Sequence, residues 1–397
     1  MPRFEPFAAL RYDPDQVRLD DVVAPPYDVI AADERERLAA RSPFNVVHVD
    51  LALPDDGRSR YETARRRFED WLQEGVLVAD PEPGFYVYRM GWRDEHGRPR
   101  QTTGVIGALE LSAGGGGVLP HERTMAKPKD DRLNLMRACR ANLSPIWCLS
   151  LAPGLTLLCD VAGPPLARCT DDDGVHHRLW QLTRPGVLDA VSETVASAPV
   201  VIADGHHRYE TALAYRDERR GATGSPGDYD LVLAYLVELA EEQLSVGPIH
   251  RLLSGLPADF DLVSALAADF DLDEAGRPDA ALSERVAGAG AMGLVVPDRA
   301  WVLRPRAGGA GNGSEPDAGL LDRAVADWPG HETSYAHRVE DVLAAVAAGR
   351  AQAGVLLRPT TVAQIAAAAR AGRRMPQKTT FFRPKPRTGL LFRRLYD

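Results

Sequence analysis

The sequence predicts an α/β (α+β) protein. Two observations carry this reading. Short β-branched runs bounded by turn residues, such as Val200-Val201-Ile202 before Asp204-Gly205, read as buried strands. Stretches with apolar residues three and four apart, such as Tyr61, Ala64, Phe68, Trp71 and Leu72, read as amphipathic helices. A chain of 397 residues, 45% hydrophobic and 26% charged, suits a soluble globular protein of two or three domains. We divide it into an N-terminal α/β region with a hairpin (1–115), a central core (116–255) and a C-terminal α/β region (256–397) whose tail docks back on the core.

The first 30 residues are Pro-punctuated, through Ala24-Pro25-Pro26-Tyr27-Asp28-Val29-Ile30, and read as an extended strap over the core. Residues 45–51 read as a strand and 60–74 as a helix. Residues 85–92 and 102–111 form an expected hairpin across Asp94-Glu95-His96-Gly97. The glycines at 114–117 read as a joint and not a phosphate loop, since no Lys-Ser or Lys-Thr follows. Strands are expected at 146–151, 155–161 and 175–182, and a helix at 186–197. Periodicity leaves 229–239 open between strand and buried helix. Further on, 262–270, 320–327, 339–348 and 362–371 read as helical. A hairpin is expected at 293–297 with 301–304, a Gly-rich loop at 308–315 and a strand at 354–357. The tail, 375–385, is aromatic and basic and reads as too apolar to hang free.

Charge and cysteines narrow the function classes. A net charge of −9 argues against a large sequence-independent nucleic-acid surface, so DNA is not an expected partner. Cys139, Cys148, Cys159 and Cys169 contain no C-x-x-C pair, and free thiols in a reducing compartment are expected. No signal-peptide core or membrane-length apolar run occurs, so a cytoplasmic location off the membrane is expected, with homo-oligomerisation left open.

The chemistry concentrates in one stretch. After Val200-Val201-Ile202-Ala203 come Asp204-Gly205-His206-His207-Arg208, and then a helical pattern through Tyr209, Ala212, Leu213 and Arg216. A helix N-terminus presents unpaired N–H groups and favours anions. Gly205 admits a ligand to the backbone, His206 and His207 add donors, and Arg208 can grip a phosphate bidentately. Asp204 can cap the helix or hold a divalent metal beside that phosphate. The expectation is a nucleotide phosphate site; the plain alternative is a well-capped helix with a polar end. A second polar segment, His121-Glu122-Arg123-Thr124-Met125-Ala126-Lys127-Pro128-Lys129-Asp130-Asp131-Arg132, packs acids and bases into a loop.

Other motifs are discarded. Gly288-Ala289-Gly290-Ala291-Met292-Gly293 spells G-x-G-x-x-G, but a helix precedes it and a strand follows, the reverse of a dinucleotide fold. His331-Glu332 and His337 do not make H-E-x-x-H. His176 and His177 fall in an expected strand, on opposite faces, where a structural role is expected. Asp56-Gly57-Arg58-Ser59-Arg60-Tyr61-Glu62-Thr63-Ala64 echoes the lettering of Asp204–Ala212, and coincidence between two helix openings is the favoured explanation.

The stretch Ala203–Ala212 resembles the signature of the domain of unknown function 1015 family, whose members are often labelled SpoOJ/ParA/ParB/RepB family proteins. Ala24–Val29, Leu119–Thr124, Ala141–Ile146, His250-Arg251 and Lys378–Phe382 also look like that family. The shorter D-G-H-H-R core is similar to the phosphate-binding motif of the ParB/sulfiredoxin superfamily, which includes free-serine kinases. The resemblance implies a ParB/sulfiredoxin-like central domain with added N- and C-terminal α/β segments. His206 stands where sulfiredoxin has its catalytic cysteine.

The expected function is a nucleotide-dependent phosphotransferase, a kinase acting on a small hydroxylated metabolite, with free L-serine as the specific acceptor. Gly205, His206, His207 and Arg208 would cradle phosphates of ATP or ADP with Mg²⁺, near Asp204. Glu122 is the expected general base, with His121 the alternative and His206 also counted as catalytic. Lys127 and Arg132 would hold a substrate carboxylate or the leaving phosphate. The rivals are a non-enzymatic nucleotide-binding regulator and a DNA-binding ParB relative.

Overall fold

A computed structural model describes residues 1–94, 96–112, 116–120, 127–279, 281–306 and 315–396. Residues 114 and 115 of the expected joint, 308–314 of the expected loop, and His121 and Glu122 lie outside the described residues. The fold is α+β, in two compact units: Met1–Leu244 with Pro384–Asp397, and Ser245–Arg383. The expected boundary near 115 has no counterpart, because strands from both sides of it join one sheet.

That sheet holds nine strands among the described residues: β1 (Phe4–Glu5), β2 (Phe85–Arg93), β3 (Pro99–Glu110), β4 (Val118–Pro120), β5 (Ile146–Ser150), β6 (Ala167–Thr170), β7 (His176–Leu182), β8 (Val200–Asp204) and β9 (Leu231–Glu238). The order is β4-β8-β5-β9-β3-β2-β7-β6, with β1 on β3. β2 and β3 form the expected hairpin, and 229–239 resolves as strand. β8 runs parallel to β4 and antiparallel to β5, so its apolar run is sheltered on both edges.

Alternation then sorts the side chains. Val200 and Ile202, Ile146 and Cys148, and Val232, Ala234 and Leu236 face one core. Helices α4 (Pro185–Ala196) and α5 (His206–Thr223) cover it through Val191, Val195, Tyr209 and Ala212. The opposite face carries Tyr88, Tyr235 and Trp147, with Tyr88 and Tyr235 rings 5.1 Å apart edge to face. A second core gathers α1 (Val47–Asp50), α2 (Arg60–Gln73) and α3 (Lys127–Cys139) around Val47, Phe68, Trp71, Leu135 and Phe392. The cysteines Cys139, Cys148, Cys159 and Cys169 are buried free thiols.

Two expected strands are helical turns. Residues 45–51 contain α1, because Asn45 Oδ1 accepts from Val47 N–H at 3.1 Å and starts a turn. Val47 and Val49 are both buried, so the β-branched run reports burial and not strand geometry. Residues 155–161 likewise open with a helix at Leu155–Leu158, where Glu238 accepts from the N–H groups of Gly154 and Thr156. The expected helix at 262–270 stops at Leu266, and Phe270 already begins a strand.

In the other unit, β10 (His250–Ser254), β11 (Phe270–Gly276), β12 (Met292–Val296), β13 (Arg299–Pro305), β14 (Glu332–Ala336) and β15 (Ala353–Leu356) form an antiparallel sheet in the order β11-β13-β12-β15-β10-β14. Here Arg251, 1% exposed, donates to the carbonyls of Ile249, Lys378 and Gln377. That contact joins His250-Arg251 to the 378–382 block as structure. No helix among the described residues is long and apolar enough to cross a membrane.

Candidate functional site

β8 ends at Asp204 and α5 begins at His206, so Gly205 alone makes the reversal. Its φ is 90° and its ψ 28°, the left-handed region that glycine adopts without strain. A Cβ there would stand 3.0 Å from the Arg208 guanidinium. Glycine therefore both turns the chain and lets Arg208 fold back across the turn.

Arg208 Nη2 donates to Asp204 Oδ2 at 2.7 Å. Its Nη1 donates to the Pro145 carbonyl and, at 3.4 Å, to Ser144 Oγ. Lys385 Nζ donates to the other Asp204 oxygen, Oδ1. Burial pushes the Asp204 carboxyl up, but the charges of Lys385 and Arg208, with His206, outweigh it and hold it below the usual carboxylate range. His206 and His207 open the helix and are partly buried.

The metal expected on Asp204 meets a different arrangement. Both carboxylate oxygens are engaged by cations, and no group of three His, Cys, Asp or Glu side chains that could hold a metal occurs among the described residues. Asp204 acts as an ionic bridge. It does not cap the helix either, since Gly205 occupies the cap position without a side-chain bond.

Arg132 stands in the same neighbourhood, but as a committed cation. It is 6% exposed, donates to Asp50 Oδ1 at 3.0 Å and to Asp131 Oδ2 at 2.6 Å, and lies 4.3 Å over the Tyr27 ring. The expectation that it holds a substrate carboxylate or the leaving phosphate thus concerns a guanidinium already paired and stacked. Lys127 opens α3, and its side chain lies outside the described residues.

Arg208 and Arg132 border one small pocket, with Tyr27, Asp50, Asn142, Ser144 and Thr211. Its cavity volume is about 50 Å³, room for about four waters or one small polar molecule and not for a whole nucleotide. The Tyr27 hydroxyl is pushed up to about 12, mainly by burial. Asp50 is also pushed up by burial, against the pull of Arg132 and Arg208.

Sequence reasoning singled out Gly205, His206, His207 and Arg208, and the structure keeps them at one helix start. It missed Tyr27, Asp50, Asn142, Ser144 and Lys385 as site residues. Tyr27, Asn142 and Ser144 lie inside the blocks noted as similar to a known family, a signal that was available. Asp50 sat in a run read as strand and carried none.

The chain is thus a mixed α/β protein with a polar, charge-paired site at a strand–glycine–helix turn. Over residues 4–323 it matches the family model described as "Protein of unknown function (DUF1015)", and it belongs to that family. No curated protein matches it. Among solved structures, it is similar to a conserved hypothetical protein from Pyrococcus furiosus at 15% identity, covering 72% of this chain and 93% of that one, with a TM-score of 0.37. A free serine kinase mutant in complex with AMP is similar at 14% identity, 70% and 86% coverage and a TM-score of 0.38. SbnI with a C-terminal truncation, from Staphylococcus aureus, is similar at 11% identity, 72% and 85% coverage and a TM-score of 0.40. Likeness at this level carries no argument about the chemistry of this chain.

Proposed function

We propose that this protein is a nucleotide-dependent phosphotransferase acting on a small hydroxylated metabolite, with free L-serine as the acceptor. The observation that carries the reading is the convergence of Arg208 and Lys385 on the Gly205 turn at the start of α5. Phosphoryl transfer needs positioning and charge neutralisation more than covalent chemistry. The helix start supplies backbone donors, Arg208 a planar fork and Lys385 a compact charge. An arriving phosphate exchanges with Asp204 as their counter-ion, while His206 and His207 add donors. The likeness of the D-G-H-H-R core to the ParB/sulfiredoxin phosphate motif supports the same placement.

ATP or ADP is the proposed donor. Mg²⁺ arrives with it as the counter-ion of its phosphates, because the described residues offer no resident ligand set. No step rests on a protein-held metal. Two groups are candidates for the base: Glu122, or His121, of the polar loop, and Asp50 of the pocket.

A second reading is a nucleotide-binding regulator. The bridge itself favours it: one partly buried carboxylate holding two cations is an internal competitor for an anionic ligand, and releasing it would free the segment bearing Lys385.

The test is a thermal-shift panel of ATP, ADP, CTP and GTP with Mg²⁺ on the wild type, His206→Ala and Arg208→Ala. A nucleotide at one hundred times its Kd stabilises the fold by about 2.7 kcal/mol. The expected result is a shift with one nucleotide that both variants lose. Unchanged affinity in both variants removes the phosphate site, and no shift with any nucleotide removes both readings. Turnover that depends on a hydroxylated metabolite separates enzyme from regulator.

A further inference from the structure

We infer that the pocket between Tyr27, Asp50, Arg132, Asn142 and Thr211 is the acceptor site of the transfer, with Asp50 taking the proton of the acceptor hydroxyl. This rests on the phosphotransferase reading above.

Arg208 gives the first reason. The same guanidinium crosses the Gly205 turn and lines this pocket, so a molecule here adjoins a phosphate on the turn. Thr211 gives the second. It is 1% exposed, it lines the pocket, and its hydroxyl oxygen has no hydrogen-bond partner among the described residues. A buried hydroxyl normally finds a partner, and one left over on a pocket wall is a place for a polar ligand atom. Asp50 gives the third. Among the lining residues it is the sole carboxylate, it is 5% exposed, and Arg132 fixes it through Oδ1 at 3.0 Å. The groups that face it are Tyr27 and Asp28 from the 27–29 turn, Asp131, Arg132 and Cys139 from α3, and Arg208 from α5. Burial raises its proton affinity, which suits a carboxylate that must accept a proton.

Size and charge define the acceptor class. About 50 Å³ excludes a sugar nucleotide or a peptide. One carboxylate beside two guanidiniums suits a hydroxy acid or hydroxy-amino acid of roughly three or four carbons, its carboxylate toward the guanidiniums and its hydroxyl toward Asp50. In the step, the hydroxyl proton passes to Asp50 and the hydroxyl oxygen forms a bond to the terminal phosphorus. The bond from that phosphorus to the bridging oxygen breaks, and its electron pair leaves with the shortened nucleotide.

The experiment uses the full chain with the nucleotide chosen by the thermal-shift panel, and L-serine and D-glycerate as acceptor probes. Calorimetry should show one of them binding to the nucleotide-loaded protein. Asp50→Asn should keep nucleotide binding, lose 10²- to 10⁴-fold in kcat and lose the acid limb of the pH–rate profile. Thr211→Val, which leaves the ion pairs intact, should raise KM for the acceptor severalfold with kcat little changed. Binding of neither probe overturns the acceptor site. An Asp50→Asn enzyme with wild-type kcat and an intact acid limb overturns the role of Asp50, as does transfer of that limb's loss to Glu122→Gln. If Asp50→Asn does not fold, an unchanged KM in Thr211→Val overturns the pocket. Absence of nucleotide binding in the wild type instead strikes the phosphotransferase reading itself.

Discussion

At the scale of single residues, Asp204 and Gly205 govern the site by different physics. Gly205 is needed for its conformation and for the 3.0 Å approach of Arg208. Gly205→Ala should cost about 1 kcal/mol in left-handed strain alone, and more because Arg208 must move. Its thermal midpoint should fall, and nucleotide affinity should fall with it. Asp204 is needed for its charge. Asp204→Asn leaves Lys385 and Arg208 facing each other over a neutral amide, and should cost about 3 kcal/mol in urea denaturation. If added phosphate or nucleotide restores much of that loss, the two cations are confirmed as an anion seat. Wild-type stability of Asp204→Asn would show the bridge to be idle. The sequence exposed this turn because its residues are contiguous. It could not expose Lys385, which meets Asp204 across 181 residues of chain, or Asp50, whose neighbours are set only by how α1 packs.

At the scale of elements, the sequence was read well where a pattern was long enough to have a period. The β2–β3 hairpin and the helices Arg60–Gln73 and His206–Thr223 all follow their apolar spacing. It was misread at 45–51 and 155–161, where four-residue helices hide inside apolar runs and period cannot be counted. The echoed lettering is instructive here. Both copies open a helix, but α2 starts at Ser59 with a complete capping box to Glu62, whereas α5 starts at a glycine with no side-chain cap. One end has its first N–H groups met by its own side chains; the other has no side-chain cap. Ser59→Ala should therefore destabilise by about 1 kcal/mol in thermal unfolding and leave ligand binding untouched. A binding defect in that variant would mean that the first copy is also a ligand site.

At the scale of the whole molecule, buried and partly buried histidines set the response to acid. His250 is pulled down to about 4, chiefly by burial, and its Nδ1 accepts from Leu357 N–H at 3.1 Å, a bond that protonation there would remove. His177 and His48 are also pulled down, again chiefly by burial. The unfolded chain takes up these protons near pH 6.5 and the folded one only lower, so their contribution is complete above about pH 6.5 and is lost as the pH falls. For His250 that loss amounts to roughly 3 kcal/mol by pH 4. Urea midpoints measured from pH 7.5 to 5 should decline steadily, and His250→Gln should flatten the decline. His177 has a further place. It bonds Tyr88 Oη at 2.7 Å and Asp171 at 3.0 Å, and Asp171 in turn holds Arg387.

Arg387 and Lys385 belong to a stretch that follows Ser245–Arg383 in the chain yet completes the unit formed by residues 1–244. The same stretch lends Phe392 to the second core and pairs Arg393 with Asn142. During synthesis the Gly205 turn therefore leaves the ribosome long before its second cation exists. At about 5 to 20 residues per second, the 181 residues from Asp204 to Lys385 delay that cation by roughly 9 to 36 s. For that interval Asp204 waits with Arg208 alone, and the nascent chain holds a half-built ion bridge that a later-made segment completes.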